Sequence, residues 1–314
     1  MSDGRLEEGP FAGDVLVERV ELRTKKNGDP YTALDVRTLA GQMVSAKYWD
    51  GALQGVDAGT VVRLEGSVRE WQGRPDLAIN RVGEASEGRS PREFLPRSSF
   101  DPEERLDTIL SLVEQHTTDE VQTVVRHLLE KHREAFCAAP GGVRMHHARV
   151  GGLAEHVLDV LRLSLDTVLT LADLGHDVGS LSRDAIVGGA AIHDIGKIRE
   201  YVYGDRLDYD DDGRTVGHLA MGHHMLISAV KELELPYTDA LKHVGHIILS
   251  HHGKLEWGSP VEPMTVEALI VHRADLLSKD LDIGLEILRN AAGEEKWSSR
   301  DNRLFNISKT LRRF

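Results

Sequence analysis

His193 and Asp194 stand side by side in the run Ala-Ala-Ile-His-Asp-Ile-Gly-Lys (190–197). An adjacent imidazole and carboxylate can hold one divalent cation only where the local backbone bends to aim both at it. Further donors lie tens of residues away on both sides: His156 upstream, then His218, His251 and Asp275 downstream. Imidazole together with carboxylate suits a borderline-to-hard divalent cation that can activate a water. Lys197 follows where its ammonium could meet a phosphate oxygen as a point charge. The competing use is a helix C-terminal charge.

Each residue has a plainer reading. His156 shares a helical face with Leu153, Val157 and Val160, and a histidine there is more often a satisfied core residue than a ligand. The downstream pattern shifts the reading to ligand. Asp275 sits in Ala-Leu-Ile-Val-His-Arg-Ala-Asp-Leu-Leu (268–277). A carboxylate in so apolar a stretch is costly unless paired or metal-bound, so Asp275 reads as the fourth ligand after His156, His193 and Asp194. His218 and His251 could hold a second metal or a substrate phosphate. His223, His224 and His252 are rivals, and which of His251 and His252 faces the metal stays open. His146 and His147 are candidate substrate contacts. Of the sixteen histidines, His116, His127, His132 and His176 read as structural, and His243 and His246 are undecided. No serine nucleophile pattern, P-loop or Gly-rich dinucleotide fingerprint stands out. The economical mechanism is a metal-activated water, with Asp194 anchoring the metal and Lys197 or His218 assisting the phosphate or leaving group.

Two kinds of element must position these groups. Residues 11–85 read as β: short apolar runs at Asp14–Val20, Tyr31–Val36, Gln42–Trp49, Thr60–Val68 and Asp76–Ile79 alternate with turn signals at Asn27-Gly and Gln72-Gly. Five short strands with hairpin turns suit a small barrel. The order of elements resembles an OB-fold, which often grips single-stranded nucleic acid. Tyr31, Tyr48, Trp49 and Trp71 could stack on bases; the competing use is as core plugs of a small barrel, which suits Trp49 better than Trp71 with its polar flanks Glu70, Gln72 and Arg74. Residues 86–103 read as a linker, broken by Pro91, Pro96 and Pro102. From 104 onward the chain reads as α, with no strand signal of comparable strength. Thr117-Thr-Asp-Glu carries a capping pattern, and apolar helical runs fall near 153–174, 182–193, 219–233, 239–252 and 263–290. His193 and Asp194 end one of them, where Gly196 permits a sharp turn. Arg300, Arg303, Lys309, Arg312 and Arg313 make a basic tail.

Composition narrows the class. A chain of 314 residues allows two domains at about 150 residues each. A net charge of −13 argues against broad electrostatic adhesion to nucleic acid but leaves room for a local groove or a metal-centred site. The lone Cys137 excludes an internal disulfide and suits a reducing cytoplasm. The N-terminus lacks a signal-peptide pattern, and no apolar run approaches the ~18 residues of a membrane span, so a cytoplasmic protein without a membrane partner is expected.

The set of Gly-Gly-Leu-Ala-Glu-His (151–156), His-Asp-Ile-Gly-Lys (193–197), Gly-His-Leu-Ala-Met-Gly (217–222), Ser-His-His-Gly (250–253) and His-Arg-Ala-Asp (272–275) resembles the HD-domain metal-dependent phosphohydrolases. Tyr48-Trp49-Asp50, Phe94-Leu-Pro-Arg-Ser, His146 to His156 and Ser250-His-His-Gly-Lys-Leu-Glu-Trp-Gly-Ser-Pro-Val add a narrower resemblance, to the YhaM-type 3′–5′ exoribonucleases. It spans Phe11 to Asp282 and implies an OB-type barrel (1–85), a linker (86–103) and an all-α HD domain (104–314). The implied activity is stepwise hydrolysis from the 3′ end of single-stranded RNA. The implied cofactor is one or two manganese ions, with magnesium, cobalt or iron as alternatives. The metal set is His156, His193, Asp194, His218, His251 and Asp275. Asp194, Lys197 and His218 are the catalytic candidates; His147, His252, Lys197, Tyr48, Trp49 and Trp71 are the substrate contacts. Single-stranded DNA, short oligonucleotides and a homo-oligomer are further partners left open. A small-nucleotide or cyclic-dinucleotide phosphodiesterase is the second reading, and a non-catalytic binding module the third.

Overall fold

The computed structural model describes residues 6, 8–71, 74–143, 145–203, 206–290, 297–298 and 310–311. The Gln72-Gly73 turn and the basic residues Arg300, Arg303, Lys309, Arg312 and Arg313 lie outside the described residues. The chain divides into two compact units, with a boundary between Arg97 and Ser98.

The first unit is a closed five-stranded barrel of β1 (Gly9–Thr24), β2 (Pro30–Thr38), β3 (Met43–Tyr48), β4 (Val61–Trp71) and β5 (Arg74–Glu84), in the order β1-β2-β3-β5-β4. Period-2 alternation drives it: Thr32, Leu34, Val36 and Thr38 point inward along β2, and their neighbours do not. The β3–β5 pair is parallel and every other pair is antiparallel. Long β1 pairs with both β2 and β4, and a register shift between Val17 and Arg19 bends it round the barrel. The core is aliphatic, built from Val15, Val17, Leu34, Val36, Val44, Leu64, Val68, Leu77 and Ile79 among others. Trp49 is therefore no core plug: it is 42% exposed and stacks on Tyr31 with ring centroids 4.8 Å apart. Trp71 is 65% exposed, while Tyr48 packs partly against the core. Within the stretch 86–103, Pro91–Phe94 form a 3-10 turn with a Ser90–Glu93 capping box, and Phe94 and Leu95 are buried.

The second unit is helical. Its elements are α1 (Pro102–His116), α2 (Asp119–Lys131), α3 (Arg133–Ala138), α4 (Gly152–Asp173), α5 (Arg183–Ile192), α6 (Lys197–Glu200), α7 (Asp211–Val216), α8 (His218–Glu232), α9 (Asp239–Ser250) and α10 (Val266–Asn290). Every residue of α5 from Ala185 to Ile192 is buried, so α5 is apolar all round and sits at the centre of the bundle. Two expectations need correction. A short hairpin, β6 (Tyr201–Val202) with β7 (Asp208–Tyr209), interrupts the helices. The capping pattern at Thr117-Thr118 does not cap: Thr118 is the N-cap, but its hydroxyl donates to Asp184 Oδ2 at 2.8 Å and its N–H to Asp184 Oδ1. The Thr118 hydroxyl turns to this long-range carboxylate, and no first-turn N–H reaches it. No helix among the described residues is long and apolar enough to cross a membrane.

Gly66 marks the tightest point of the barrel. It follows the register shift between β4 and β5, and a Cβ there would lie 2.1 Å from the carbonyl oxygen of Ala78. Backbone cannot move aside as a flexible side chain can. Gly66→Ala is expected to lower unfolding stability by about 1–3 kcal/mol, read by urea denaturation; an unchanged midpoint would contradict the close approach.

Candidate metal centre

Five helices deliver one residue or one pair each to a single buried point. His156 comes from α4, and His193 and Asp194 from the end of α5. His218 opens α8, His251 follows the last turn of α9, and Asp275 lies within α10. His156, His193, His251, Asp194 and Asp275 are all essentially inaccessible to solvent.

Asp194 is the shared member. Its Oδ2 faces His156 Nε2 at 3.2 Å and His193 Nε2 at 3.3 Å. Its Oδ1 faces His218 Nε2 and His251 Nε2, each at 3.4 Å. Asp275 Oδ1 completes the first group, 3.0 Å from His156 Nε2. Two sets of donors close enough to hold a cation result: His156, His193, Asp194 and Asp275, and beside them His218, His251 and His252.

The opposite ring nitrogens fix which atom can bind. Nδ1 of His193, His251 and His252 donates to the carbonyls of Ala190 (2.8 Å), Ile248 (2.9 Å) and Trp257 (2.9 Å). Nδ1 of His218 donates to Glu200 Oε1 at 2.8 Å. Carbonyls and carboxylates only accept, so each of these rings carries a proton on Nδ1 and turns Nε2 inward; burial keeps His251 and His252 neutral, so their Nε2 atoms are bare. His156 Nδ1 is 3.1 Å from Ser278 Oγ. His218 Nε2 and His252 Nε2 stand 3.2 Å apart. Asp194 Oδ1, Asp275 Oδ1 and His251 Nε2 are buried without a hydrogen-bond partner. Burying unsatisfied acceptors face to face is unfavourable, and a divalent cation is the species that resolves it. The donor set of imidazoles and carboxylates fits such an ion.

The electrostatics agree. Burial alone would raise the Asp194 carboxyl, but the Lys197 ammonium and the His193 and His156 imidazoles hold it well below the usual carboxylate range. Asp275 is likewise held low against burial, chiefly by Lys279, whose ammonium is 2.6 Å from Oδ2. Burial pulls His251 down to about 4 and His252 to about 2, so both are neutral ligands at neutral pH.

Of the residues singled out from sequence, His156, His193, Asp194, His218, His251, His252, Asp275 and Lys197 converge here. Both His251 and His252 face the centre, His251 toward Asp194 and His252 toward His218. Lys197 is buried, with Nζ 2.6 Å from both Asp194 Oδ2 and the Gly141 carbonyl; it opens α6 rather than ending a helix. Its ammonium is thus committed to protein groups. His147 lies one layer out, its ring 5.1 Å from that of His156, and its N–H donates to Asp282. His146 is 5.6 Å from His156, ring to ring. A third donor group, His147, Glu155 and Asp282, is already neutralised, because Arg149 pairs with both carboxylates at 2.7 Å. His223 and His224 stay outside all three groups. His243 and His246 bond to Thr265 and the Met264 N–H. Tyr48, Trp49 and Trp71 belong to the barrel unit. The role assigned to Gly196 changes. Its backbone is ordinary right-handed helix (φ −61°), and glycine is required because a Cβ would sit 2.0 Å from the His218 carbonyl oxygen. That close approach draws α8 onto the His-Asp pair.

Sequence reading passed over Glu200, Ser278 and Lys279. Ser278 and Lys279 were visible in principle, three and four residues after Asp275 on the same helical face. Glu200 had no local signal, since its partner His218 is eighteen residues away. Glu200→Gln is expected to weaken divalent-cation binding about 10- to 100-fold, by calorimetry; affinity equal to the parent's would remove Glu200 from the support of His218. Asp194→Asn is expected to empty both donor groups, read as metal per chain after dialysis.

Comparison with known proteins agrees with this geometry. Residues 153–280 match the HD domain family. The chain is 32% identical over 299 residues to the 3′-5′ exoribonuclease YhaM of Bacillus licheniformis, covering 93% of this chain and 92% of that one. It is equally 32% identical to the 3′-5′ exoribonucleases YhaM of Listeria monocytogenes (301 residues, 93% of each) and Bacillus subtilis (300 residues, 93% and 92%). HD-domain enzymes work with divalent metals, and the buried His/Asp groups supply the donors for them. A small barrel followed by a helical HD unit, joined in one chain and matched along nearly its whole length, places this protein in the YhaM family of 3′-5′ exoribonucleases.

Proposed function

We propose that this chain removes nucleotides one at a time from the 3′ end of single-stranded RNA, by metal-dependent hydrolysis, with manganese as the working ion. The observation that carries the reading is the Asp194 carboxylate shared between two groups of inward-turned imidazole nitrogens. His156, His193, Asp194 and Asp275 would hold one cation, and His218, His251 and His252, with Asp194 between, a second. Bound there, such ions supply Lewis acidity: they lower the pKa of a water and neutralise charge growing on a phosphate. The chain's own residues do the rest. Lys197 and Lys279 hold the two carboxylates in place and offset their charge. Glu200 and the Ala190, Ile248 and Trp257 carbonyls hold Nδ1 of His218, His193, His251 and His252 and so turn each Nε2 toward the centre. His218 and His252 are the most accessible members, so a substrate phosphate meets them first.

In this reading residues 1–85 are the nucleic-acid-binding barrel, 86–103 the connection and 104–314 the catalytic domain. The exposed Trp49–Tyr31 stack and Trp71 offer aromatic faces to bases, which tolerate any sequence because every base has a π-face. Single-stranded DNA and short oligonucleotides are the nearest alternative substrates.

A 5′-labelled single-stranded RNA incubated with manganese and resolved by size should give a descending ladder. The ladder should vanish with Asp194→Ala and with a chelator. Intact RNA beside a metal-loaded protein would reject the exonuclease and favour a small-nucleotide phosphodiesterase. Trp49→Ala and Trp71→Ala should leave unfolding stability within about 0.5 kcal/mol of the parent. Each should weaken oligonucleotide binding by about 1–3 kcal/mol, measured by fluorescence anisotropy. Loss of stability without loss of affinity would return these residues to a packing role.

A further inference from the structure

The outermost ring of the two donor groups is His252. His156, His193, His251 and Asp275 have no exposed surface, His218 has a little, and His252 is only half-buried. The segment after His252 therefore borders the way in. It runs through a 3-10 turn, Leu255–Trp257, and carries two groups with no part in the fold's core. Trp257 is 47% exposed, and Lys254 Nζ sits 4.6 Å over its ring. The segment is held firmly. Trp257 N–H donates to the Lys254 carbonyl at 3.0 Å, and the Trp257 carbonyl accepts from His252 Nδ1. His272 Nδ1 in turn lies 2.6 Å from the His251 carbonyl. An exposed indole, fixed by its own backbone to a ring of the metal cluster, is a rigid surface beside the reacting phosphate.

We propose that Trp257 and Lys254 form the resting place of the nucleotide being removed: the indole stacks on its base, and the ammonium pairs with its phosphate. The inference rests on the nucleotide-hydrolysing reading of the adjoining centre. Lys254 occupies an indole face without a substrate, and magnitudes say which contact wins. An exposed cation–π contact favours its partner by about two- to five-fold. Stacking a base on an aromatic ring favours binding by about five- to 150-fold, from 1–3 kcal/mol per base at 1.4 kcal/mol per decade. The base displaces the ammonium from the ring, and the freed ammonium, otherwise paired weakly with the exposed Glu256 at 3.3 Å, turns to the phosphate. A stack without base-edge hydrogen bonds accepts any base, as stepwise degradation of mixed sequences needs.

The test compares adenosine 5′-monophosphate with ribose 5-phosphate, which lacks the base, as ligands of the manganese-loaded protein in calorimetry. The parent should prefer the nucleotide by about five- to 150-fold. Trp257→Ala should abolish that preference and leave ribose 5-phosphate binding and metal content unchanged, whereas Trp257→Phe should keep most of it. Lys254→Ala should weaken both ligands alike. In turnover, Trp257→Ala should lose the parent's lower KM for an RNA ending in adenosine over one ending in an abasic residue, and Trp257→Phe should keep it. A nucleotide preference that survives Trp257→Ala would overturn the proposal, and so would equal loss of both ligands in Trp257→Ala with metal intact. Because mononucleotide binding needs no RNA cleavage, a parent that leaves RNA intact rejects the exonuclease and still lets the calorimetry decide the role of Trp257.

Discussion

The Asp194 carboxylate is the constraint around which the helical unit is arranged. It is fully buried, faces four imidazole nitrogens and touches one ammonium. An isolated carboxylate there would be prohibitively costly to desolvate. Lys197 and Lys279 offset the charge of the Asp194–Asp275 pair, and the remaining acceptor capacity is turned inward, toward a cation. Removing the positive partners would leave two negative groups in a dry interior, and removing the carboxylates would leave the buried Lys197 ammonium unpaired. The cluster is stable only as a whole.

The bundle supplies what such a cluster needs, which is rigidity without space. The central helix α5 is small and apolar, so its neighbours pack close and the residue after its last turn emerges at the middle of the unit. Helix ends recur as delivery points. His193 and His251 both follow the final residue of a helix, and each ring donates Nδ1–H to the carbonyl three residues earlier. That repeated device orients the ring and sets its tautomer with no additional side chain. At a helix end such carbonyls lack a partner within the helix, so an otherwise unsatisfied acceptor is used to prepare a ligand.

The barrel follows different physics. Its interior is aliphatic, and its two tryptophans, Trp49 and Trp71, lie on the outside. A net charge of −13 leaves the chain without the long-range positive field that a broad basic groove would provide.

Much of this was legible in residue types and spacing. Period-2 runs marked the five barrel strands, apolar stripes marked the long helices, and the dipeptide His193-Asp194 with His156 and Asp275 marked the first donor group. Chain order and local periodicity carry that information because secondary structure is set by nearby residues. The sequence also determined the family, since spaced motifs survive where contacts cannot be read. Only the tertiary structure decided that His251 and His252 both face the centre, that Lys197 serves Asp194, and that Glu200 sets the proton on His218. It alone showed that Thr118 binds Asp184 rather than its own helix, and that Gly196 is needed for the approach of α8 rather than for a turn. Each of these depends on contact between residues far apart in the chain, and a linear pattern holds no record of which distant groups will share one buried point.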